Sequence, residues 1–256
     1  MREINEIKTK IYKISSVTDR GQRLNKLVAP MYEEKANEMM TLIENLKSFK
    51  FEISEKSLSG EWELIFSNVE LFRSSPFFLA IEKALNDESK SNLFFKLHQL
   101  QVGSFGISTI GRIAQKIDFD KKEFISTFDT TIFGLTTIPI LGWFKLLPTF
   151  GGRVITLAND LVLKNNLLDM NLVKTKVSKI EGLNKIPFFS KLLMDRWYPV
   201  KDVWNKLPWN KESPNCQISI IYLDEEMRVM QDMYGSIFIY IRPSISLLSQ
   251  KTLSNN

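Results

Sequence analysis

Apolar residues in the first fifty positions recur at the spacing of amphipathic helices. Four isoleucines, each three or four residues from the next, form one stripe of a first helix: Ile4, Ile7, Ile11 and Ile14. Thr18 and Asp19 offer an amino-terminal cap for a short second helix that Pro30 would interrupt. A third helix follows, with its own apolar face at Met39, Leu42, Ile43 and Leu46. The pattern predicts a helical cap over residues 1–50 that packs on a core.

After Gly60 the apolar positions recur at every second residue, which is typical of half-buried strands. The alternation covers residues 62–66, 124–132, 168–172, 218–222, 227–231 and 237–241. Short turns such as Asp224–Glu226 join the last three segments as hairpins. Since no helices alternate regularly with these strands, the sequence predicts a mainly β, antiparallel fold rather than a parallel α/β sheet.

An up-and-down β-barrel is the simplest closed form of such a sheet. Closure removes the exposed edges of an open antiparallel sheet, and about eight strands would enclose one small apolar ligand. We place this barrel at residues 51–245, in a single domain with the helical cap, and expect a polar tail at residues 246–256.

Composition narrows the chemistry that the chain could perform. It has 256 residues, a formal net charge of +5, one cysteine (Cys216) and one histidine (His98). A structural zinc site needs four Cys or His ligands, and His98 is the only histidine available as the base of a catalytic triad. The sequence also contains no glycine-rich phosphate-binding motif. We therefore expect no metal, no cofactor and no catalytic residue, and the small charge excess argues against a nucleic-acid partner.

The basic surplus lies in one aromatic-rich segment, residues 174–212. This segment has nine basic and four acidic residues and holds three of the five tryptophans. The longest uncharged runs in the chain are shorter than the ~20 residues of a spanning helix, so a membrane contact would be peripheral. Because basic residues beside tryptophan are typical of interfacial contacts, the predicted contact residues are Lys191, Arg196, Trp197, Trp204 and Trp209. In the alternative, an amphipathic helix at residues 200–207 closes the barrel and buries its tryptophans.

Several motifs follow each other as in the plastid lipid-associated proteins, also called fibrillins. They are Thr18–Gly21, Leu42–Leu46, Leu58–Ser67, Gly151–Val154, Tyr222–Val229 and Gly235–Tyr240. The resemblance implies a lipocalin-like barrel preceded by helices, found at thylakoids or plastid lipid droplets. It also implies binding of lipids, carotenoids or prenylquinone-like molecules, with a role in photoprotection or stress tolerance. It assigns no catalytic residues, and the lack of a visible transit peptide fits a cyanobacterial-type or mature form.

Three residues are expected to close one end of such a barrel. Gly60 lets the first strand turn inward, Trp62 plugs the end, and Arg228 lies over the Trp62 ring. In the alternative, Arg228 pairs with Asp224 or Glu226 at the surface. The first arrangement is the one that we predict.

Ligand selection would depend on side chains that point into the barrel. The alternation predicts this set to be Phe66, Phe128, Ile132, Met170 and Tyr222. A shift of strand register by one residue would exchange each of them for its neighbour. The irregular apolar run at residues 138–148 would form a lid over the mouth, a membrane-dipping loop or a buried corner.

Three functions are compatible with these features. The leading one is a non-enzymatic, peripheral protein, at the thylakoid membrane or in the cytoplasm, that holds a hydrophobic isoprenoid or lipid. In the second, the protein binds no ligand and coats a lipid surface through residues 174–212. In the third, it handles linear tetrapyrroles as lipocalin-like phycobilin lyases do, although the motifs resemble the fibrillins more closely.

Overall fold

The structure, a computed structural model, describes most of the chain. The described residues are 2–24, 30–49, 51–103, 107–133, 135–138, 143–148, 151–181, 197–200, 204 and 214–246. Three of the predicted membrane-contact residues, Lys191, Arg196 and Trp209, lie outside them, as do residues 247–256 of the predicted tail.

Helices predominate up to residue 103, with one strand among them, and the described residues after that are mostly in strands. The helices are α1 (Arg2–Val17), α2 (Pro30–Ser48), α3 (Glu55–Leu58), α4 (Pro76–Leu85) and α5 (Glu88–Gly103), with a 3-10 turn at Leu71–Ser74. The strands are β1 (Gly60–Ser67), β2 (Ile107–Asp118), β3 (Glu123–Phe133), β4 (Leu135–Ile138), β5 (Trp143–Pro148), β6 (Gly151–Lys164), β7 (Leu167–Glu181), β8 (Tyr198–Pro199), β9 (Asn215–Leu223), β10 (Met227–Gln231) and β11 (Ile237–Ile241). The six segments predicted from alternation each lie within one of these strands.

Eight of the strands form a ring-like antiparallel sheet. Their order is β6-β3-β2-β1-β11-β10-β9-β7, and pairing of β6 with β7 closes the ring. The short strand β8 adds to β7 through the pair Lys174 and Pro199. The predicted antiparallel fold with amino-terminal helices is confirmed, whereas its assignment as a lipocalin-like barrel and the division into domains stay predictions.

Apolar side chains divide between the two faces of this ring. The inner cluster receives residues from all eight strands of the ring, among them Trp62, Ile113, Phe124, Ala158, Met170, Ile218, Met230 and Tyr240. The helix-side cluster joins α1 and α2 to the outer face, through Ile7, Ile11, Leu42, Phe66, Tyr222 and Val229, among others. The isoleucine stripe of α1 thus covers the outside of the sheet, as an amphipathic helix must to bury its apolar face.

Residues 18–24 form a turn where Thr18 and Asp19 predicted the start of a short second helix, and residues 25–29 of that predicted helix lie outside the described residues. Asp19, Arg20 and Gly21 all have positive φ angles, of 49°, 56° and 89°, which a right-handed helix cannot contain. Thr18 instead donates its hydroxyl to the carbonyl of Ile14 at 2.6 Å, so it ends α1. Glycine is needed at position 21 because a Cβ there would lie 2.1 Å from the backbone oxygen of Ser67.

A bulge in β1 turns its last residues to the other face of the sheet. Leu64 lies opposite Tyr240 in β11, but Phe66 lies opposite Ile239, so Ile65 is an extra residue in the strand. As a result the Leu64 side chain belongs to the inner cluster and that of Phe66 to the helix-side cluster.

A second bulge has the same effect in β9. Ile220 pairs with Met230 and Tyr222 with Val229, which leaves Ile221 as the extra residue. The side chain of Ile220 lies in the inner cluster and that of Tyr222 in the helix-side cluster. The simple alternation that placed both on one face therefore fails at this point.

The inner cluster also contains a helix that the alternation did not predict. Leu79, Ala80 and Ile81 of α4 belong to it, and α4 packs mainly against β9, then against α5 and the 3-10 turn, and less against β6 and β7. The amino end of α4 follows the 3-10 turn at Leu71–Ser74, with Pro76 in its first turn, a position that proline favours. Part of the space within the ring is therefore filled by the protein itself.

The apolar run at residues 138–148 is not part of the ring. β4 and β5 pair only with each other, as a separate two-stranded sheet. The run is therefore no central strand, in agreement with its two prolines. Residues 139–142 lie outside the described residues, so its role as a lid, a membrane-dipping loop or a corner stays a prediction.

Candidate functional site

Trp62 of β1 contacts α3 and also Arg242, an arginine that the sequence patterns did not indicate. The Trp62 indole is fully buried and donates from Nε1 to the carbonyl of Leu58 in α3 at 2.9 Å. The guanidinium carbon of Arg242 lies 3.9 Å from the centre of the Trp62 ring. Its two terminal nitrogens donate to the carbonyls of Ser59 and Ser57, at 2.7 and 2.8 Å. Arg242 thus joins the end of β11 to α3 and to the buried tryptophan.

Gly60 makes the approach of Arg242 possible. Its φ angle is +116°, in the region that favours glycine. A Cβ at this position would lie 2.2 Å from Nη1 of Arg242. The predicted role of Gly60, to let the first strand turn inward, stays a prediction, and the structure adds a second reason for glycine at this position.

Arg228 lies deeper than Arg242, on the inner face of the ring. Its side chain is fully buried, and its guanidinium carbon lies 4.9 Å from the ring centre of Trp62 and 4.3 Å from that of Tyr240. Nη2 donates to Oε1 of Gln115 at 2.5 Å. The contact of Arg228 with Trp62 is thus present, and its part in closing a barrel stays a prediction.

The neighbours that hold Arg228 are neutral. Gln115 donates from Nε2 to the Tyr240 hydroxyl at 2.9 Å and to the carbonyl of Ser74 at 3.3 Å, which fixes its amide with the oxygen toward Arg228. Burial lowers the pKa of Arg228, Tyr240 opposes this and Arg242 adds to it, so that the pKa is about 9. Within the described part of the chain, the site therefore holds a cation in an apolar region without an acid to neutralise it.

The acidic residues proposed as surface partners of Arg228 bind a lysine instead. Lys8 of α1 is buried and lies 2.6 Å from Oδ2 of Asp224 and 2.9 Å from Oε2 of Glu226. Tyr222 donates its hydroxyl to Asp224. Burial raises the pKa of Asp224, but the hydrogen bonds from Lys8 and Tyr222 outweigh this and hold the pKa below its ordinary value. This cluster fastens α1 to the β9–β10 hairpin.

The five residues predicted to line one pocket are divided between two places. Met170 belongs to the inner cluster, and Phe128 is half-buried against it. Phe66 and Tyr222 face the helices, because the bulges at Ile65 and Ile221 turn the side chains that follow them to the other face of the sheet. This corrects the predicted inward placement of both residues. For Ile132 the structure describes the backbone, which pairs with that of Ser108 in β2.

The two described tryptophans of the predicted membrane segment also differ. Trp204 is only 1 % exposed and belongs to the inner cluster, so in this structure it is a core residue, as in the capping alternative. Trp197 is half-buried on the outer face over Ile155, and the ammonium groups of Lys174 and Lys176 lie 4.6 and 4.7 Å from its ring centre. Lys174 and Trp197, both half-buried, therefore meet on the outer face, whereas Lys176 is buried beneath the indole.

A second buried polar cluster lies at the opposite end of β10. Nη2 of Arg73 is 3.6 Å from a carboxylate oxygen of both Glu82 in α4 and Asp232, and its guanidinium lies 4.4 Å from the Phe95 ring centre. Burial and the nearby Asp232 raise the pKa of Glu82, Arg73 opposes them, and the resulting pKa is about 8. Arg73 therefore lies against two buried carboxyl groups, whereas Arg228 has none within ion-pair distance among the described residues.

His98, the one candidate base, has aromatic neighbours. It lies in α5, with its ring centre 4.8 Å from that of Phe72 and 5.0 Å from that of Phe78. Burial lowers the pKa of His98. Its surroundings are those of a packing residue on a helix.

Comparison with known proteins gives one family. The sequence model of the PAP_fibrillin family matches residues 5–241, nearly the whole chain. No curated protein and no solved structure matches the chain. Within the described residues, every helix is too short or too polar to cross a membrane. The family match spans all eight strands of the ring, together with most of α1.

Proposed function

Because this chain belongs to the PAP/fibrillin family, whose members are plastid lipid-associated proteins, we propose that it is a non-enzymatic carrier of a hydrophobic small molecule. The ligand would be a lipid, a carotenoid or a prenylquinone, held against the inner face of the strand ring. A lipocalin-like barrel is the corresponding fold. The protein would act at the thylakoid or another lipid surface, in photoprotection or membrane stabilisation.

One observation carries this proposal: the inner face of a closed ring is apolar on all eight strands. Burial of an apolar ligand there would contribute about 25 cal/mol per Å² of apolar surface, before the cost of ordering the ligand. Met170 and Phe128 are the predicted ligand contacts that lie in or against the inner cluster. Since α4 already fills part of the interior, the ligand would occupy the remainder, between α4 and the strands.

The first test is to identify what the protein carries. The protein is purified from its source, extracted with solvent, and the extract is analysed by absorbance and mass spectrometry. A stoichiometric carotenoid, quinone or lipid supports the proposal. An extract without any such compound, combined with no binding of these ligands by the recombinant protein, would contradict it.

Two matched variants then locate the ligand. Phe128→Ala removes a ring against the inner cluster, and Phe66→Ala removes an equal ring from the helix-side cluster. We expect Phe128→Ala to weaken binding of the extracted ligand several-fold, with Phe66→Ala lowering stability but not affinity. Equal effects of both variants on affinity would place the ligand elsewhere.

A second candidate function is a ligand-free coat of lipid surfaces, and the surface around Trp197 favours it. Lys174 lies over this indole on the outer face of the sheet, and both side chains are partly exposed. A basic residue beside a tryptophan suits a lipid headgroup region, whereas Lys176, which also contacts the ring, is buried. The proposal includes Lys191, Arg196 and Trp209 of the same segment, and it includes Trp204 only if that residue leaves the core.

Vesicle flotation tests this second function. Wild-type protein should float with vesicles rich in anionic lipid at low salt and less at high salt, because salt screens surface charges. Lys174→Gln should weaken flotation, and Lys13→Gln, at an exposed site on α1, should not. Flotation that is independent of salt and of Lys174 would contradict this surface as the contact.

A further inference from the structure

We propose that Arg228 forms a buried binding site for a carboxylate group inside the strand ring. The inference concerns the polar end of the ligand, which the apolar inner face leaves undefined. For a long-chain carboxylic acid, the proposed site rests on the proposed carrier function. For a small free carboxylate, the site is independent of that function.

Among the described residues, Arg228 has no counter-ion. Its guanidinium is fully buried, and no described carboxylate lies within ion-pair distance of it. A second cation, Arg242, lies close enough to disfavour the charge of Arg228 further. Isolated buried charges are strongly unfavourable unless they are paired, so the site favours an anion over a neutral group.

Most hydrogen-bond donors of Arg228 also have no acceptor among the described residues. An arginine has five N–H donors, and Arg228 uses Nη2 to donate to Gln115. Nε and Nη1 are buried and have no acceptor among the described residues. Contact with the Trp62 and Tyr240 rings stabilises the cation over its face, but it cannot satisfy N–H groups, which lie in the guanidinium plane.

Other arginines of the chain show how unusual this arrangement is. Arg153 donates from Nε and Nη2 to both oxygens of Asp129, at 2.6 and 3.0 Å. Arg20, only partly buried, donates to the carbonyls of Ile110 and Gly111. Arg73 lies against two carboxylates. Arg228 is more deeply buried than Arg153 or Arg20 and has fewer acceptors.

The geometry points to a carboxylate among the anions. A planar guanidinium with free edge donors matches the two oxygens of a carboxylate, which it binds side by side. The second cation nearby, Arg242, donates from both terminal nitrogens to the carbonyls of Ser59 and Ser57. Arg228 therefore offers the unused donors of one cation, which suit an anion with one negative charge better than a phosphate dianion. The neighbours across β9 and β11 are Leu223 and Tyr240, so the remainder of the ligand would meet apolar surface.

The test uses the full chain labelled with ¹⁵N-arginine and three probes: oleate, oleyl alcohol and acetate. The Nε resonance of Arg228 is assigned by its loss in Arg228→Lys. We expect oleate to shift this resonance, and oleyl alcohol, which has the same chain without the charge, to leave it in place. Arg228→Met should weaken oleate binding at least tenfold in calorimetry while leaving oleyl alcohol unaffected.

The outcomes separate this site from the carrier function. If acetate alone shifts the Arg228 resonance as oleate does, the site takes free carboxylates, and it stands even if no apolar ligand binds. If oleate binds much more tightly than acetate and depends on Arg228, the ligand is an amphipathic carboxylic acid. If oleate and oleyl alcohol bind equally to wild type and to Arg228→Met, the carrier function stands and the carboxylate site is refuted. If neither oleate nor acetate shifts any arginine Nε resonance of the wild-type protein, the carboxylate site is also refuted.

Discussion

Replacement of Arg242 by methionine should destabilise the protein markedly, because this side chain fastens α3 and Trp62 to the end of the ring. Two of its nitrogens donate to the carbonyls of Ser59 and Ser57, and its guanidinium lies 3.9 Å from the Trp62 ring centre. A hydrogen bond to a charged group contributes about 1.5–3 kcal/mol, and a cation–π contact about 0.5–2 kcal/mol. Since Arg242 is only half-buried, water replaces part of this, and we expect a loss of about 2–4 kcal/mol.

The assay is urea unfolding at neutral pH, followed by circular dichroism, with thermal unfolding as a second measure. For a chain of this size, each kcal/mol lowers the melting temperature by about 2–4 °C. The matched control is Arg112→Met: Arg112 is 55 % exposed and pairs with Glu63 at 2.9 Å, and exposed ion pairs contribute little. If Arg242→Met were no less stable than Arg112→Met, our account of how this end is closed would be wrong.

Three further predictions follow from backbone geometry and from buried acids. Gly21→Ala should cost at least about 2 kcal/mol more than Gly235→Ala in urea unfolding, since both have positive φ angles but only Gly21 faces a backbone atom, at 2.1 Å. The raised pKa of Glu82, about 8 against 4.5, means that the folded state retains a proton that the unfolded state loses, so stability should fall as pH rises between about 4.5 and 8. Glu82→Gln should flatten that slope of urea midpoint against pH, and an unchanged slope would contradict it. The lowered pKa of Asp224 contributes stability above its unfolded value of 3.8 that is lost as pH falls through the folded value. Asp224→Asn should therefore be less stable than wild type at neutral pH and lose less on acidification; equal acid sensitivity would contradict this.

Elements that depend on local periodicity could be predicted from the sequence. The isoleucine stripe of α1 and the hairpins of β9, β10 and β11 follow directly from spacings of three or four and of two. The turn after α1 could not be predicted in this way. Its three successive positive φ angles accompany a close approach to Ser67, which is far along the chain. Aspartate, the residue at position 19, is also a common helix cap, so the local sequence favoured the wrong structure.

The bulges explain why two of the predicted pocket residues were misplaced. Leu64, Ile65 and Phe66 are all apolar, as are Ile220 and Ile221 before Tyr222. In such runs the side chains on either face of the strand could be buried, so strict alternation is only one of the possible arrangements. The outer face is also covered, by α1 and α2, so it accepts Phe66 and Tyr222 as readily as the interior would. Runs of three apolar residues within an otherwise alternating strand were the signal for a change of face.

The two arginines near Trp62 divide stability and binding between them. Arg242 gives its donors to backbone carbonyls of the protein, so its contribution is complete without a ligand. Arg228 contacts the same indole, but its buried Nε and Nη1 have no acceptor among the described residues, which lowers the stability of the fold. A ligand that accepts those hydrogen bonds recovers that cost on binding. Arg242→Met should therefore reduce stability with little change in carboxylate affinity. Arg228→Met should reduce carboxylate affinity with little change in stability, because only this variant removes donors that the fold itself leaves unused.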